Sequence, residues 1–85
     1  MRIVEFTPTA SSQFNEWLVQ DKKIRNKIVE LLKDIIRDPF KGLGKPEPLK
    51  HHFKGCWSRR INQEHRLVYK VTSDAIIVIA CKFHY

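Results

Sequence analysis

Along the two C-terminal strand signals, Arg66–Val71 and Ile76–Phe83, the side chains divide into sets of opposite character. Successive residues of a strand point to opposite faces. With regular strands and a three-residue turn at Thr72-Ser73-Asp74, one face collects Leu67, Tyr69, Val71, Ile77, Ile79, Cys81 and Phe83. The other collects Arg66, Val68, Lys70, Val78, Ala80, Lys82 and His84, a basic and only half apolar set. Faces this different are expected when one side of an antiparallel sheet is covered and the other is open. The rest of the chain must therefore supply an apolar cover.

That cover is readable upstream. Ile24, Ile28, Leu31, Leu32, Ile35 and Ile36 recur at helical spacing and form one continuous stripe. Asp21 is positioned to cap this helix, and Asp38-Pro39 ends it, because proline disfavours helical geometry in the residue before it. Phe14, Trp17 and Leu18 mark an earlier helix, with Thr7-Pro8-Thr9 as its start signal. Arg2–Phe6 alternates as a short strand, with Ile3 and Glu5 on one face and Val4 and Phe6 on the other. Residues 40–56 hold all three glycines and two of the four prolines, which reads as a long functional loop. A further strand signal covers Trp57–Ile61, followed by a turn at Asn62-Gln63-Glu64. The expected architecture is α+β, with order β-α-α-β-β-β: a twisted antiparallel sheet carrying two helices on one face. An 85-residue chain has room for one such domain, spanning 1–85.

Charge narrows the partner. The net charge is +7, split as +2 over residues 1–43 and +5 over 44–85. A basic second half points to a polyanion, of which nucleic acid is the commonest. No apolar stretch approaches the ~20 residues needed to span a bilayer, and the N-terminal Met1–Phe6 does not read as a signal peptide. Two cysteines, Cys56 and Cys81, are too few for a disulfide scaffold. The expected location is the cytoplasm, with no membrane association.

The chemistry concentrates in Lys45–Arg66, which holds six Lys/Arg, three His and two Glu. Glu64 falls in a turn and reads as a solvated residue. Glu47 lies between Pro46 and Pro48, which stiffen the backbone that aims its carboxylate. A three-residue turn after Ile61 pairs Ile61 with His65 and puts Arg60 opposite Arg66 on the open face. Like charges so placed repel unless an anion comes between them; a bulge or another loop length would separate them. The apolar run Ala75–Cys81 leads to His84 and Tyr85, setting an imidazole at the rim of the sheet. A carboxylate that accepts a proton, arginines that hold a phosphate and a histidine that donates a proton suffice for cleaving RNA without a metal or other cofactor. DNA lacks the 2′-hydroxyl that such a mechanism uses as nucleophile. Zinc is a rival, through His52-x3-Cys56 and Cys81-x2-His84. A regular last strand, however, puts Cys81 and His84 on opposite faces, with Cys81 in the core. His51, His52 and His65 read as solvent-exposed, and Trp57, Tyr69 and Phe83 as core.

Four blocks carry a family resemblance: Gly44-Lys45-Pro46-Glu47-Pro48-Leu49-Lys50, Trp57-Ser58-Arg59-Arg60-Ile61, Glu64-His65-Arg66-Leu67-Val68-Tyr69 and Cys81-Lys82-Phe83-His84-Tyr85. In this order and spacing they resemble the YoeB (Txe) toxins of the RelE superfamily. The resemblance implies a microbial-RNase-like fold and a toxin of a type II toxin–antitoxin pair that cleaves mRNA in the ribosomal A site. It implies Glu47 as general base, Arg66 as phosphate-stabilising group, His84 as general acid and Tyr85 as a substrate-placing residue. Lys50 and Arg60 match supporting basic positions. The implied partners are mRNA on the ribosome and a YefM-like antitoxin whose acidic C-terminal segment covers the site. His52 and Cys56 depart from the family pattern, at positions without a catalytic role. Whether the chain is monomeric or a homodimer stays open. A non-catalytic RNA- or ribosome-binding module is the alternative; it accounts for the charge but not for the coexistence of base, anion clamp and acid. A DNA-binding repressor component has less support, because the most basic segments read as strands and a loop rather than a recognition helix.

Overall fold

The computed structural model describes residues 2–83. The elements run β1 (Ile3–Phe6), α1 (Pro8–Gln20), α2 (Lys22–Arg37), β2 (Glu47–Pro48), a 3-10 turn (His51–Phe53), β3 (Cys56–Arg60), β4 (Arg66–Val71) and β5 (Ala75–Ala80). The strands form one sheet in the order β1-β5-β4-β3-β2. Both helices begin where local chemistry directs. Thr7 caps α1, its hydroxyl accepting from the Ala10 N–H at 3.1 Å, and Pro8 follows in the first turn, where its missing N–H costs nothing. Asp21 Oδ1 caps α2 by accepting from the N–H groups of Lys23 and Ile24 at 3.0 and 3.3 Å.

The stripe of α2 buries Ile28, Leu31, Leu32 and Ile35, and α1 adds Ala10 and Trp17. These pack on Ile61, Leu67, Tyr69, Ile76, Val78 and Cys81 of the sheet side. Leu18, one residue past Trp17, points out and is 47% exposed. Among the described residues no helix is long and apolar enough to cross a membrane.

Three features differ from the regular antiparallel sheet expected. First, β1 pairs with β5 in parallel, so the sheet is mixed. Parallel neighbours need a long crossover; here all the chain between them serves, and alternation along β1 carries no information about its direction. Second, the β4–β5 register shifts: Val68 pairs with Ala80 but Tyr69 pairs with Val78, leaving Ile79 as an extra residue. Such a bulge inverts the alternation on one side of itself. Ile76 and Val78 therefore face the helices, whereas Ile77 sits beside Lys70 on the opposite face, the reverse of the expected assignment. Third, β5 ends at Ala80 rather than running to Phe83. Phe83 has φ +63° and is 61% exposed, so it is not a core residue. The alternation that put His84 on the open face consequently stops short of it, and His84 and Tyr85 lie outside the described residues.

Candidate active site

Within the long loop, Glu47-Pro48 forms a two-residue edge strand on β3. Proline is tolerated at an edge, and the next residue, Leu49, donates its N–H to the Cys56 carbonyl at 2.9 Å. The register sets Glu47 opposite Ser58, Ser58 opposite Val68, and Val68 opposite Ala80, one row across four strands. One pair further along the same face, Arg60 is directly opposite Arg66, as the three-residue turn predicts. That turn is held by Asn62 Oδ1, which accepts from the N–H groups of Glu64 and His65 at 2.9 and 2.8 Å.

These registers bring Glu47 and Arg66 together. The Arg66 guanidinium donates to Glu47 Oε1 at 2.7 Å and to Ser58 Oγ at 3.3 Å. The Glu47 side chain is 54% exposed and that of Arg66 22%, so the carboxylate is reachable from solvent while the arginine is braced by the sheet. The exposed Arg60 makes no ion pair among the described residues, and it lines a shallow pocket with Asn62, Gln63 and Arg66. Two neighbouring arginines, of which only Arg66 is paired with a carboxylate, leave an excess positive charge, which suits a phosphodiester. Lys50 is exposed at the start of the 3-10 turn and makes no ion pair with Glu47.

The loop that carries Glu47 is folded around Arg59, a residue the sequence analysis left unassigned. Its side chain is fully buried. It pairs with Asp34 of α2 at 2.5 Å, and it donates to the carbonyls of Leu43, Asp38 and Lys41 at 3.0, 2.7 and 3.1 Å and to the Tyr69 hydroxyl at 3.2 Å. Tyr69 in turn donates to the Pro39 carbonyl at 2.6 Å. One guanidinium thus satisfies the backbone acceptors of the chain leaving α2. Gly44 then takes φ +77°, and its carbonyl accepts from the Arg60 N–H at 2.7 Å. A Cβ at Gly44 would stand 2.9 Å from the Arg60 carbonyl, so only glycine lets the loop lie this close to β3.

Asp34 is held down to a pKa of about 2, chiefly by the Leu43 N–H and the Arg37 side chain, with Arg59 adding to them against the effect of burial. A carboxylate with a depressed folded pKa contributes stability above its ordinary range, and that contribution is lost as pH falls through the folded value. Stability should therefore drop between about pH 4 and pH 2, by on the order of 1–2 kcal/mol for this group after allowance for solvent screening. Urea unfolding across that range checks it; Asp34→Asn should flatten the slope, and an unchanged slope in the variant contradicts the assignment.

Cys81 bears on the zinc alternative. Cys81 is buried against α1, its thiol donating to the Ala10 carbonyl at 3.6 Å, and burial pushes its pKa up to about 12. This is a core thiol rather than a thiolate ready for a metal. Among the described residues no group of three or more His, Cys, Asp or Glu is arranged to hold a metal ion. His65 corrects the expectation of solvent exposure: it is 7% exposed and packs edge-on against Trp17, with ring centroids 4.7 Å apart.

The chain matches known proteins in sequence and in fold. Residues 6–85 match the family model described as YoeB-like toxin of bacterial type II toxin–antitoxin system. Toxin YoeB of Escherichia coli (strain K12) is 59% identical over 69 residues, covering 81% of this chain and 82% of that protein. Among solved structures, the YoeB dimer from Staphylococcus aureus superposes with a TM-score of 0.93 at 46% identity, covering 99% of this chain and 98% of that one. The YoeB–YefM complex from the same organism matches with a TM-score of 0.91 at 44% identity, covering 100% and 99%.

Proposed function

This chain belongs to the family of YoeB-like toxins of bacterial type II toxin–antitoxin systems, and from that premise we propose that it is a single-domain, metal-independent endoribonuclease that cleaves mRNA in the ribosomal A site and thereby stops translation. The observation that carries this reading is the Glu47–Arg66 contact of 2.7 Å on the open face of the sheet, with Arg60 directly opposite Arg66. A phosphodiester that enters takes over the Arg66 guanidinium and releases the Glu47 carboxylate. Glu47 then removes the proton from the ribose 2′-hydroxyl, and the 2′-oxygen attacks the adjacent phosphorus. Arg66 and Arg60 stabilise the charge that builds on the non-bridging oxygens, and Lys50 extends the cationic track for the strand. His84 donates a proton to the departing 5′-oxygen, leaving a 2′,3′-cyclic phosphate and a 5′-hydroxyl. Tyr85 helps to place the substrate.

The partner in this reading is a YefM-like antitoxin. An acidic C-terminal segment competes with RNA for Arg60, Arg66 and the surrounding lysines, so inhibition needs no further device. The site of action is the cytoplasm, where translating ribosomes are. Induced expression followed by primer extension on a cellular mRNA is the test. Wild type should produce cuts within translated codons, and His84→Gln and deletion of Tyr85 should each abolish them. Full cleavage by both variants overturns the proposal.

A further inference from the structure

The chain just before His84 is unusually constrained. Phe83 is a non-glycine residue at φ +63°, a conformation that persists only where its surroundings enforce it. The enforcement is visible on both sides of the residue. Its N–H donates to His65 Nδ1 at 2.8 Å, and its carbonyl accepts from the Arg66 N–H at 2.8 Å. The residues leading into it are tied to α1: the Cys81 carbonyl accepts from Trp17 Nε1 at 2.9 Å, the Cys81 N–H donates to Gln13 Oε1 at 2.7 Å, and Lys82 pairs with Glu16 at 2.6 Å. Of these ties, only the one to His65 is accepted by an imidazole ring nitrogen.

A ring nitrogen that accepts a hydrogen bond carries no proton. The Phe83 contact therefore fixes His65 as the neutral tautomer protonated at Nε2. Charged groups stand around the ring. Glu64 Oε2 lies 3.9 Å from Nε2, and beyond the Trp17 and Phe83 rings stands the Lys82–Glu16 pair. Arg66, the next residue, directs its guanidinium away to Glu47 and Ser58.

We propose that His65 is a positioning residue for the cleavage reaction: its neutral imidazole holds the Phe83 peptide, the one immediately before His84 in the chain, in its left-handed conformation, and protonation of Nδ1 releases it. Protonation converts the acceptor into a second donor facing the Phe83 N–H, and the clamp is left with its Arg66 half alone. The device links Phe83 to the start of the strand that carries Arg66. It rests on the ribonuclease reading for its consequence in catalysis, but not for the bond itself.

Two arms separate those dependencies. In 15N-labelled wild-type protein, a coupling between the Phe83 amide nitrogen and His65 Nδ1 should be present at neutral pH and vanish on acidification, together with the Nδ1 signal of the unprotonated ring. In an RNA cleavage assay, His65→Leu, which keeps apolar packing against Trp17, should lower kcat at least tenfold with KM nearly unchanged. His65→Asn, whose Oδ1 can stand where Nδ1 does, should recover most of the rate and move the acid limb of the pH profile to lower pH. Absence of the coupling, or equal kcat in wild type and folded His65→Leu, overturns the proposal. A coupling in a wild-type protein that cleaves no RNA overturns the ribonuclease reading and leaves the clamp standing.

Discussion

Arg59→Met should cost about 3–5 kcal/mol of folding stability, the range for removing one member of a buried charge pair. Methionine fills a similar length of the cavity with apolar atoms, so the loss is electrostatic and hydrogen-bonding rather than a void. Three backbone carbonyls, those of Asp38, Lys41 and Leu43, lose this donor, as does the Tyr69 hydroxyl, and the Asp34 carboxylate is left with Arg37 and the Leu43 N–H. Each buried acceptor left alone costs about 1–3 kcal/mol, although water entering at the half-exposed loop recovers part of that. Small domains have only about 5–15 kcal/mol to lose, so the variant is expected to be partly unfolded at physiological temperature. Arg59→Lys should be only partly better, since an ammonium offers three donors from one point where the guanidinium offers a planar fork of five. Urea unfolding measures both variants, and a loss below 1 kcal/mol in Arg59→Met rejects the account. A double-mutant cycle with Asp34→Asn should return a coupling above about 1 kcal/mol, because each single change strands the other member of the pair.

The features legible in the sequence are those fixed by neighbours in the chain. The α2 stripe, the Thr7 and Asp21 caps and the stop at Asp38-Pro39 are local, and they form where the residues direct. Arg60 opposite Arg66 was also legible, because a short turn leaves little freedom of register. The bulge at Ile79 was not: an inserted residue leaves no mark in a run as uniformly apolar as Ala75–Ala80, yet it reverses which of Ile77 and Val78 is core. Strand β2 escaped because two residues are too few to show a period, and its pairing depends on Arg59 gathering the loop. Arg59 itself carries a signal in the sequence. It alternates with Trp57 and Ile61, both on the apolar side, so the strand places a cation inward. An inward arginine demands an acid and several carbonyls, and Asp34 on the covering helix is such an acid. Roles for Glu47, Arg66 and His84 came from the combination of their chemistries and from the family resemblance, which spacing alone would not have supplied.

Glu47→Gln should lower RNA cleavage by about 10²–10⁴-fold, the usual contribution of a positioned general base, while RNA binding holds or tightens. The two effects part because of what Glu47 does in the free protein. Its carboxylate occupies the Arg66 guanidinium, so RNA must displace an ion pair before the phosphate can bind. Glutamine keeps the shape and can still accept from Arg66, but it cannot take a proton at neutral pH, and it removes the negative charge nearest the entering phosphate. The exposed pair is worth little to folding, about 0–1 kcal/mol, so the variant should unfold at nearly the wild-type urea concentration. Binding is best measured on an RNA with a single 2′-deoxy substitution at the scissile position, which the wild type binds and cannot cut. The non-catalytic alternative makes the opposite forecast for the biological effect: if the chain stops translation by occupying RNA or the ribosome, Glu47→Gln remains as toxic as wild type or more so. A variant that binds the blocked RNA at least as well, leaves messages intact and no longer arrests growth is accounted for only by catalysis. A variant that binds equally and still arrests growth with messages uncut removes Glu47 from the role of base and leaves Arg60 and Arg66 as an anion-binding surface.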